Sequence, residues 1–324
     1  MTDLVRRFVR PLGRVFGVLL VLILISVGAL YLWPLDNDNL HPDPQTLTYA
    51  EASARITAQA DAEKENPGIR PECRSLALLH GDVTAKAVLM LHGYTDCPAQ
   101  YAELAQLYYQ QGYNVFVPLA PRHGTVDRRA HADLTAQELA NYATSSMDIA
   151  AALGKEAGAV GISGGGALAT YLATTRPSQV QRLLVISPFY RPASGQAPAV
   201  VVKPFTVLFG FRLVPDHFNG NNFSFAALSQ YLRLAAITDT GTRLPALRSV
   251  AVVTSANDTF IDLQQARKVP REIAETNNLS FVQFEIPAAT GIGHDAVDPA
   301  GLGTEKASLY ARYLGMYEGQ ATSQ

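Results

Sequence analysis

Cysteine is nearly absent from this chain: there are two in 324 residues and no C-x-x-C pair. That excludes a cysteine-built structural zinc site and a disulfide-dense scaffold, and leaves room for one bridge at most. A surplus of positive charge is missing too. Lys and Arg total 26 against 28 Asp and Glu, for a net charge of −2, and no basic stripe with interleaved aromatics runs through the part of the chain read as soluble, so a nucleic acid is not expected as a partner. Charge of either sign is absent from Val15 to Trp33, a run long enough to span a hydrocarbon core of about 30 Å. Arg6, Arg7, Arg10 and Arg14 precede it and Asp36, Asp38 and Asp43 follow it, so the positive-inside rule predicts a cytoplasmic N-terminus and an extracytoplasmic bulk. Val27-Gly28-Ala29 is a passable cleavage site for a signal sequence, whereas Tyr31 and Trp33 suit the interfacial belt of an uncleaved anchor, which is the reading adopted.

With 48% hydrophobic and 17% charged residues, the rest can fill one large α/β domain plus appendages. The expected organisation is a cytoplasmic N-terminus (1–14), a transmembrane helix (15–33), a stalk and packing helix (34–71), a main domain (72–318) and a short tail (319–324). After the stalk, helical character is expected through Tyr49–Lys64. From there short apolar runs recur at Leu76–Leu79, Ala87–Leu91, Val115–Leu119, Ala159–Ile162, Leu183–Ile186, Val250–Thr254 and Phe281–Ile286. Near-continuous apolar strands alternating with helices predict a mostly parallel sheet with helices on both faces. Thr135 and Glu138 form a capping-box pattern that opens one such helix. Residues 188–245 break the alternation with aromatics and few acids, and are expected to form an inserted cap. Phe205, Leu208, Phe209, Phe211, Phe218, Phe223, Phe225 and Tyr231 would together give it an apolar pocket, although each singly suits the cap's own core.

The strand Ala159–Ile162 runs into Ser163-Gly164-Gly165-Gly166, a G-x-S-x-G corner between Gly161 and Gly165. A serine on so tight a strand-to-helix turn needs small residues two before and two after it, and the turn lifts Oγ above the sheet. The Gly164 backbone N–H then sits at a helix N-terminus, where a developing oxyanion would be stabilised. Gly164, Gly166 and Ala169 also fit a dinucleotide-binding G-x-G-x-x-A. That fingerprint wants an acid about 20 residues on, and none occurs between Glu156 and Asp216.

Serine hydroxyl is a poor nucleophile without a base, and the base needs an orienting acid. Asp258 follows the strand Val250–Thr254 and His294 follows the strand Phe281–Ile286, within Gly291-Ile292-Gly293-His294. All three residues therefore fall at the C-terminal edge of the sheet, where open α/β folds bind ligands. Asp262 is the alternative acid, but reads as an N-cap of the following helix; Asp295 adjoins the base and is badly placed to reach its far nitrogen. His80, His123 and His131 are read as structural or solvated. Leu91-His92-Gly93-Tyr94 ends an early strand, and the Tyr94 N–H would supply a second oxyanion donor. Gly81-Asp82-Val83 suggests an antiparallel hairpin between Leu76–Leu79 and Ala87–Leu91, which would bring Cys73 and Cys97 to one end for a disulfide.

Taken together, L-H-G-Y, P-R-H-G-T, G-I-S-G-G, N-D and G-H, in this order over about residues 76–314, resemble the α/β-hydrolases, in particular their carboxylesterase and monoacylglycerol-lipase-like branch. Arg122 departs from the Gly that this branch commonly carries before the second His-Gly, so no role is carried to Arg122 or His123. The resemblance implies an α/β-hydrolase fold with a cap and a serine esterase acting on a small ester or lipid-like substrate. Ser163, His294 and Asp258 would then be the triad, with no metal or organic cofactor. An amidase or peptidase of the same fold is the alternative, and a non-catalytic binding protein the less favoured one.

Overall fold

The computed structural model describes the backbone of residues 2–320 and the side chains of 15–37 and 39–320. The side chains of Arg6, Arg7, Arg10, Arg14 and Asp38, and the tail from 321 onward, lie outside the described residues. Helix α1 (Thr2–Leu32) contains one segment, Val15–Leu32, long and apolar enough to cross a membrane, with a mean hydropathy of 2.8 and none of it buried. Helix α2 (Tyr49–Glu65) starts at a capping box made by Thr48 and Glu51. It packs Ala52 and Ile56 into the core. Near its end, buried Glu63 accepts from the Ser75 N–H and Oγ, both at 2.6 Å.

Seven strands follow: β1 (Leu76–Leu78), β2 (Thr84–Leu91), β3 (Tyr113–Val117), β4 (Gly154–Ile162), β5 (Arg182–Ile186), β6 (Ser249–Ser255) and β7 (Phe281–Ile286). They form one sheet in the order β1-β3-β2-β4-β5-β6-β7, parallel except for β1. Each apolar run read from the sequence overlaps a strand of this sheet; the inner strands β2–β6 are apolar on both sides because both faces are covered, whereas the edge strand β7 exposes Gln283 and Glu285. Along β2, Ala87, Leu89 and Leu91 enter one buried cluster while Val88 and Met90 enter the other, as the two-residue period of a strand requires.

Helices α3 (Ala102–Gln110), α4 (Ala136–Leu153), α5 (Gly164–Thr175), α6 (Ala199–Gly210), α7 (Phe225–Ala236), α8 (Leu263–Thr276), α9 (Pro299–Leu302) and α10 (Lys306–Tyr317) complete the chain. The first cluster takes in α4, α5 and α8, and the second takes in α3 and α10. The Thr135–Glu138 capping box opens α4. Helices α6 and α7 form the cap, and α6 packs beside the end of α1. There the Tyr31 hydroxyl donates to the Val200 carbonyl at 2.6 Å and Lys203 Nζ donates to the Trp33 carbonyl at 2.7 Å. The Trp33 ring lies 5.8 Å from that of Phe211, whose face carries the Arg233 guanidinium at 4.2 Å.

One pairing differs from expectation. β1 does not form a hairpin with β2; it pairs antiparallel with β3, Leu76 opposite Val117, and β3 separates it from β2. The reason is burial: all five residues of β3 are buried and need a neighbour on each side, whereas the three-residue β1 is only half-buried and belongs at an edge. β1 still runs opposite to β2, so its start and the end of β2 share one edge of the sheet. Cys73 and Cys97 meet there in a disulfide, with Cα atoms 5.1 Å apart.

Candidate active site

The corner after β4 holds Ser163 at φ 53° and ψ −119°, a left-handed backbone that is costly for a non-glycine residue and is kept only when its surroundings over-determine it. Its neighbours show how. A Cβ on Gly161 would sit 2.2 Å from the Gly165 carbonyl oxygen, and one on Gly165 would sit 2.0 Å from that of Leu91. Both positions therefore exclude any side chain, and α5 packs directly onto the sheet. The Ser163 carbonyl accepts from Phe189 N–H at 2.9 Å, which ties the corner to the chain leaving β5.

From the ends of three strands the side chains converge. His294 Nε2 lies 2.8 Å from Ser163 Oγ, and its Nδ1 lies 2.7 Å from Asp258 Oδ2. The buried Asp258 carboxylate also accepts from the Phe260 N–H at 2.9 Å, and the Phe260 ring rests 5.3 Å from the imidazole. A carboxylate facing Nδ1 favours the tautomer with its proton there, and in the neutral imidazole that tautomer leaves Nε2 as the acceptor facing the serine hydroxyl. Asp262 does not join this line: it caps α8 through the N–H groups of Gln264 and Gln265 and pairs with Arg191. Asp295 accepts from Gln100 Nε2 at 3.0 Å.

The loop after β2 lies against the same corner. A Cβ on Gly93 would come within 3.7 Å of Ser163 Cβ. His92 holds this loop with both ring nitrogens, Nδ1 donating to the Gly93 carbonyl at 2.9 Å and Nε2 accepting from the Ala120 N–H at 3.0 Å. Gln100 Oε1 accepts from the Gly93 N–H at 2.9 Å. Among the described residues, neither the Tyr94 nor the Gly164 N–H has an acceptor within the protein. The Tyr94 side chain reaches the cap, its hydroxyl accepting from the Ser224 N–H at 3.1 Å.

Ser163 and His294 open into a cavity of about 360 Å³, walled by Tyr94, Phe189, Phe223, Leu228 and Phe260. Of the cap aromatics singled out in the sequence only Phe223 lines it; Phe205, Phe209 and Phe225 pack on one another, tilted or edge-on, with centroids 4.8–5.3 Å apart and are half-buried. Burial pushes the pKa of His92 down to about 4 and that of His123 down to about 3, so both are neutral at physiological pH. His123 bonds the Pro121 carbonyl at 2.7 Å and approaches the Tyr231 hydroxyl at 3.3 Å. His80 stacks on Tyr109. Sequence reasoning missed Gln100, Phe189 and Phe260; a glutamine nine positions after a strand end carries no local signal of its contact with the Gly93 amide.

Residues 82–239 match the family described as serine aminopeptidase, S33, a span that includes Tyr94, Ser163 and Gly164 and ends before Asp258 and His294. The mouse (Mus musculus) sn-1-specific diacylglycerol lipase ABHD11 is 34% identical over 128 residues, 38% of this chain and 39% of that protein. The chain thus spans well under half the length of this curated relative. Among solved structures, one from the metagenome-derived lipolytic enzymes LipS and LipT superposes with a TM-score of 0.59 at 18% identity, covering 78% of this chain and all of that one. The Paleococcus ferrophilus monoacylglycerol lipase gives 0.55 at 15% identity, over 76% and 99%. At such identities these superpositions speak for the fold alone. With the strand order, the serine corner and the inserted cap, they show that the chain has the α/β-hydrolase fold.

Proposed function

We propose that the chain is a membrane-anchored serine hydrolase that cleaves carboxylic esters. The observation that carries this reading is the hydrogen-bonded line Ser163–His294–Asp258 at the mouth of the first cavity, next to the Tyr94 and Gly164 N–H groups, which have no acceptor among the described residues. Ser163 Oγ attacks the ester carbonyl as His294 Nε2 takes its proton. The Tyr94 and Gly164 N–H groups hold the oxyanion, and Asp258 keeps the imidazole in its tautomer and stabilises it when charged. His294 then protonates the departing alcohol, leaving an acyl-serine. A water enters, gives its proton to His294, and releases the acid with Ser163 restored.

A fluorophosphonate probe should label the intact chain and fail to label Ser163→Ala, and Ser163→Ala should lose ester turnover by about 10³-fold or more while remaining folded. Near-normal turnover in Ser163→Ala would overturn the reading, and an unlabelled, inactive parent chain would favour a binding protein on a hydrolase fold. The matched family's aminopeptidase description motivates a second reading, amide cleavage; two carboxylates, Asp96 and Asp295, line the cavity and suit an α-amino group. Rates on matched ester and anilide substrates separate the two.

For membrane topology we propose a cytoplasmic N-terminus and an extracytoplasmic catalytic domain. The arginines before the apolar run and the acids after it support this, as does a disulfide, which persists in oxidising compartments. Protease added to sealed cells should digest the domain; protection until lysis would reverse the topology.

A further inference from the structure

A second cavity, of about 180 Å³, lies beside the first. Asn221 lines both, and Thr95, next to the Tyr94 of the first cavity, lines the second. Three arginines, Arg70, Arg122 and Arg128, meet there together with His131, and no carboxylate is among its lining residues. In a chain with slightly more acids than bases, such a grouping departs from the average surface.

The charges are also incompletely used. Arg128 pairs with no carboxylate among the described residues. Arg122 gives only Nε to Glu138, at 3.0 Å. Arg70 reaches an exposed Glu72 at 3.5 Å, and its Nε is buried without a partner. His131 is 4% exposed; its ring faces the Arg128 and Asn222 backbone, and Nε2 makes no hydrogen bond of normal geometry. The nearby acids lie outside the lining: Asp127 accepts from the Arg129 N–H, Asp216 accepts from Ser224 Oγ, and Asp96 lines the first cavity within reach of the Arg70 charge.

The backbone of the wall is built at a cost. Thr95, Arg122 and Asn222 have φ of 68°, 63° and 61°, left-handed values that are unfavourable for non-glycine residues and that gather at ligand sites. Four separate stretches of chain supply the lining: the segment before β1, the loop after β2, the loop after β3, and the cap. The Ile69–Thr125 bridge and the Arg70 N–H to the Gly124 carbonyl, at 2.9 Å, join two of them.

We propose that this cavity is a binding site for a phosphoryl group, and that it holds the anionic end of the ester's alcohol portion while the acyl chain lies in the first cavity. Guanidinium groups bind phosphate through paired, charge-assisted hydrogen bonds. The substrate class is then a phosphorylated acyl alcohol, such as an acylglycerol phosphate, rather than a neutral ester. This rests on Ser163 being the nucleophile.

Two measurements test it. In Ser163→Ala protein, which needs no turnover, glycerol 3-phosphate should raise the melting temperature and glycerol should not, and Arg70→Gln/Arg128→Gln should abolish the rise. In the active chain, kcat/KM for a monoacylglycerol phosphate should exceed that for the matched monoacylglycerol by at least about tenfold, and the double variant should lose that preference while turning over the neutral ester at the parent rate. No shift with glycerol 3-phosphate, or a shift the double variant retains, would overturn the site. A shift with inorganic phosphate as large as with glycerol 3-phosphate, combined with no substrate preference, would make it a site for free phosphate and overturn the substrate assignment. A chain that binds glycerol 3-phosphate but is neither labelled by fluorophosphonate nor active on either ester would retain the anion site and refute the esterase reading alone.

Discussion

His92 is bound in a way that only its neutral form permits, because Nδ1 must donate and Nε2 must accept. With the folded pKa at about 4 for His92 and about 3 for His123, against about 6.5 in an unfolded chain, the unfolded state takes up protons first as the pH falls. Stability is therefore full above about pH 6.5 and declines as the pH drops from there toward 4, by roughly 2 kcal/mol per histidine at pH 5. Denaturant unfolding at pH 7 and pH 5 should record that loss, and His92→Asn should flatten the slope; an unchanged slope would mean that His92 is accessible to protons in the folded state. At the acid, Asp258→Asn should cut turnover severely through the wrong imidazole tautomer, whereas Asp262→Ala should act mainly on the cap of α8 and cost about 1 kcal/mol of stability. Residues that announce themselves through their own neighbours, such as Ser163 between two glycines or His294 after a strand, were readable in the sequence. His131 and Arg128 were not, because their meaning comes from separate stretches of chain, from Arg70 to Asn222, meeting at one cavity.

The serine corner imposes the tightest steric demands among the elements. Gly165→Ala would press a methyl group into the Leu91 carbonyl, so this variant should lose folded protein or melt far lower. Gly195→Ala, which meets nothing within 4 Å, should behave as the parent chain. Equal behaviour of the two would mean that α5 can move away from β2. The seven strands were legible because each is an apolar run bounded by polar turns, and the helix starts were legible where a capping box marks them. Strand order was not. The turn before β2 looks like a hairpin locally, but which strand neighbours which is decided by how many buried edges each must satisfy, and that sum runs over the whole sheet.

For the molecule as a whole, the bridge between Cys73 and Cys97 closes a separation of 24 residues, which contributes roughly 3 kcal/mol in a chain-entropy account. It also ties the turn carrying Arg70 to the loop carrying Tyr94 and Thr95. Reduction should lower the melting temperature and also weaken the fluorophosphonate reaction; a change in melting alone would separate the brace from the site. The contact between the end of α1 and the cap has a practical bearing on where the polypeptide can be cut. A shortened chain beginning at Tyr31 keeps the ring of Trp33 on Phe211 and the carbonyl that Lys203 holds. One beginning at Asp36 strips an aromatic face of the cap bare, and should be the stickier and less stable protein even though it discards only five further residues.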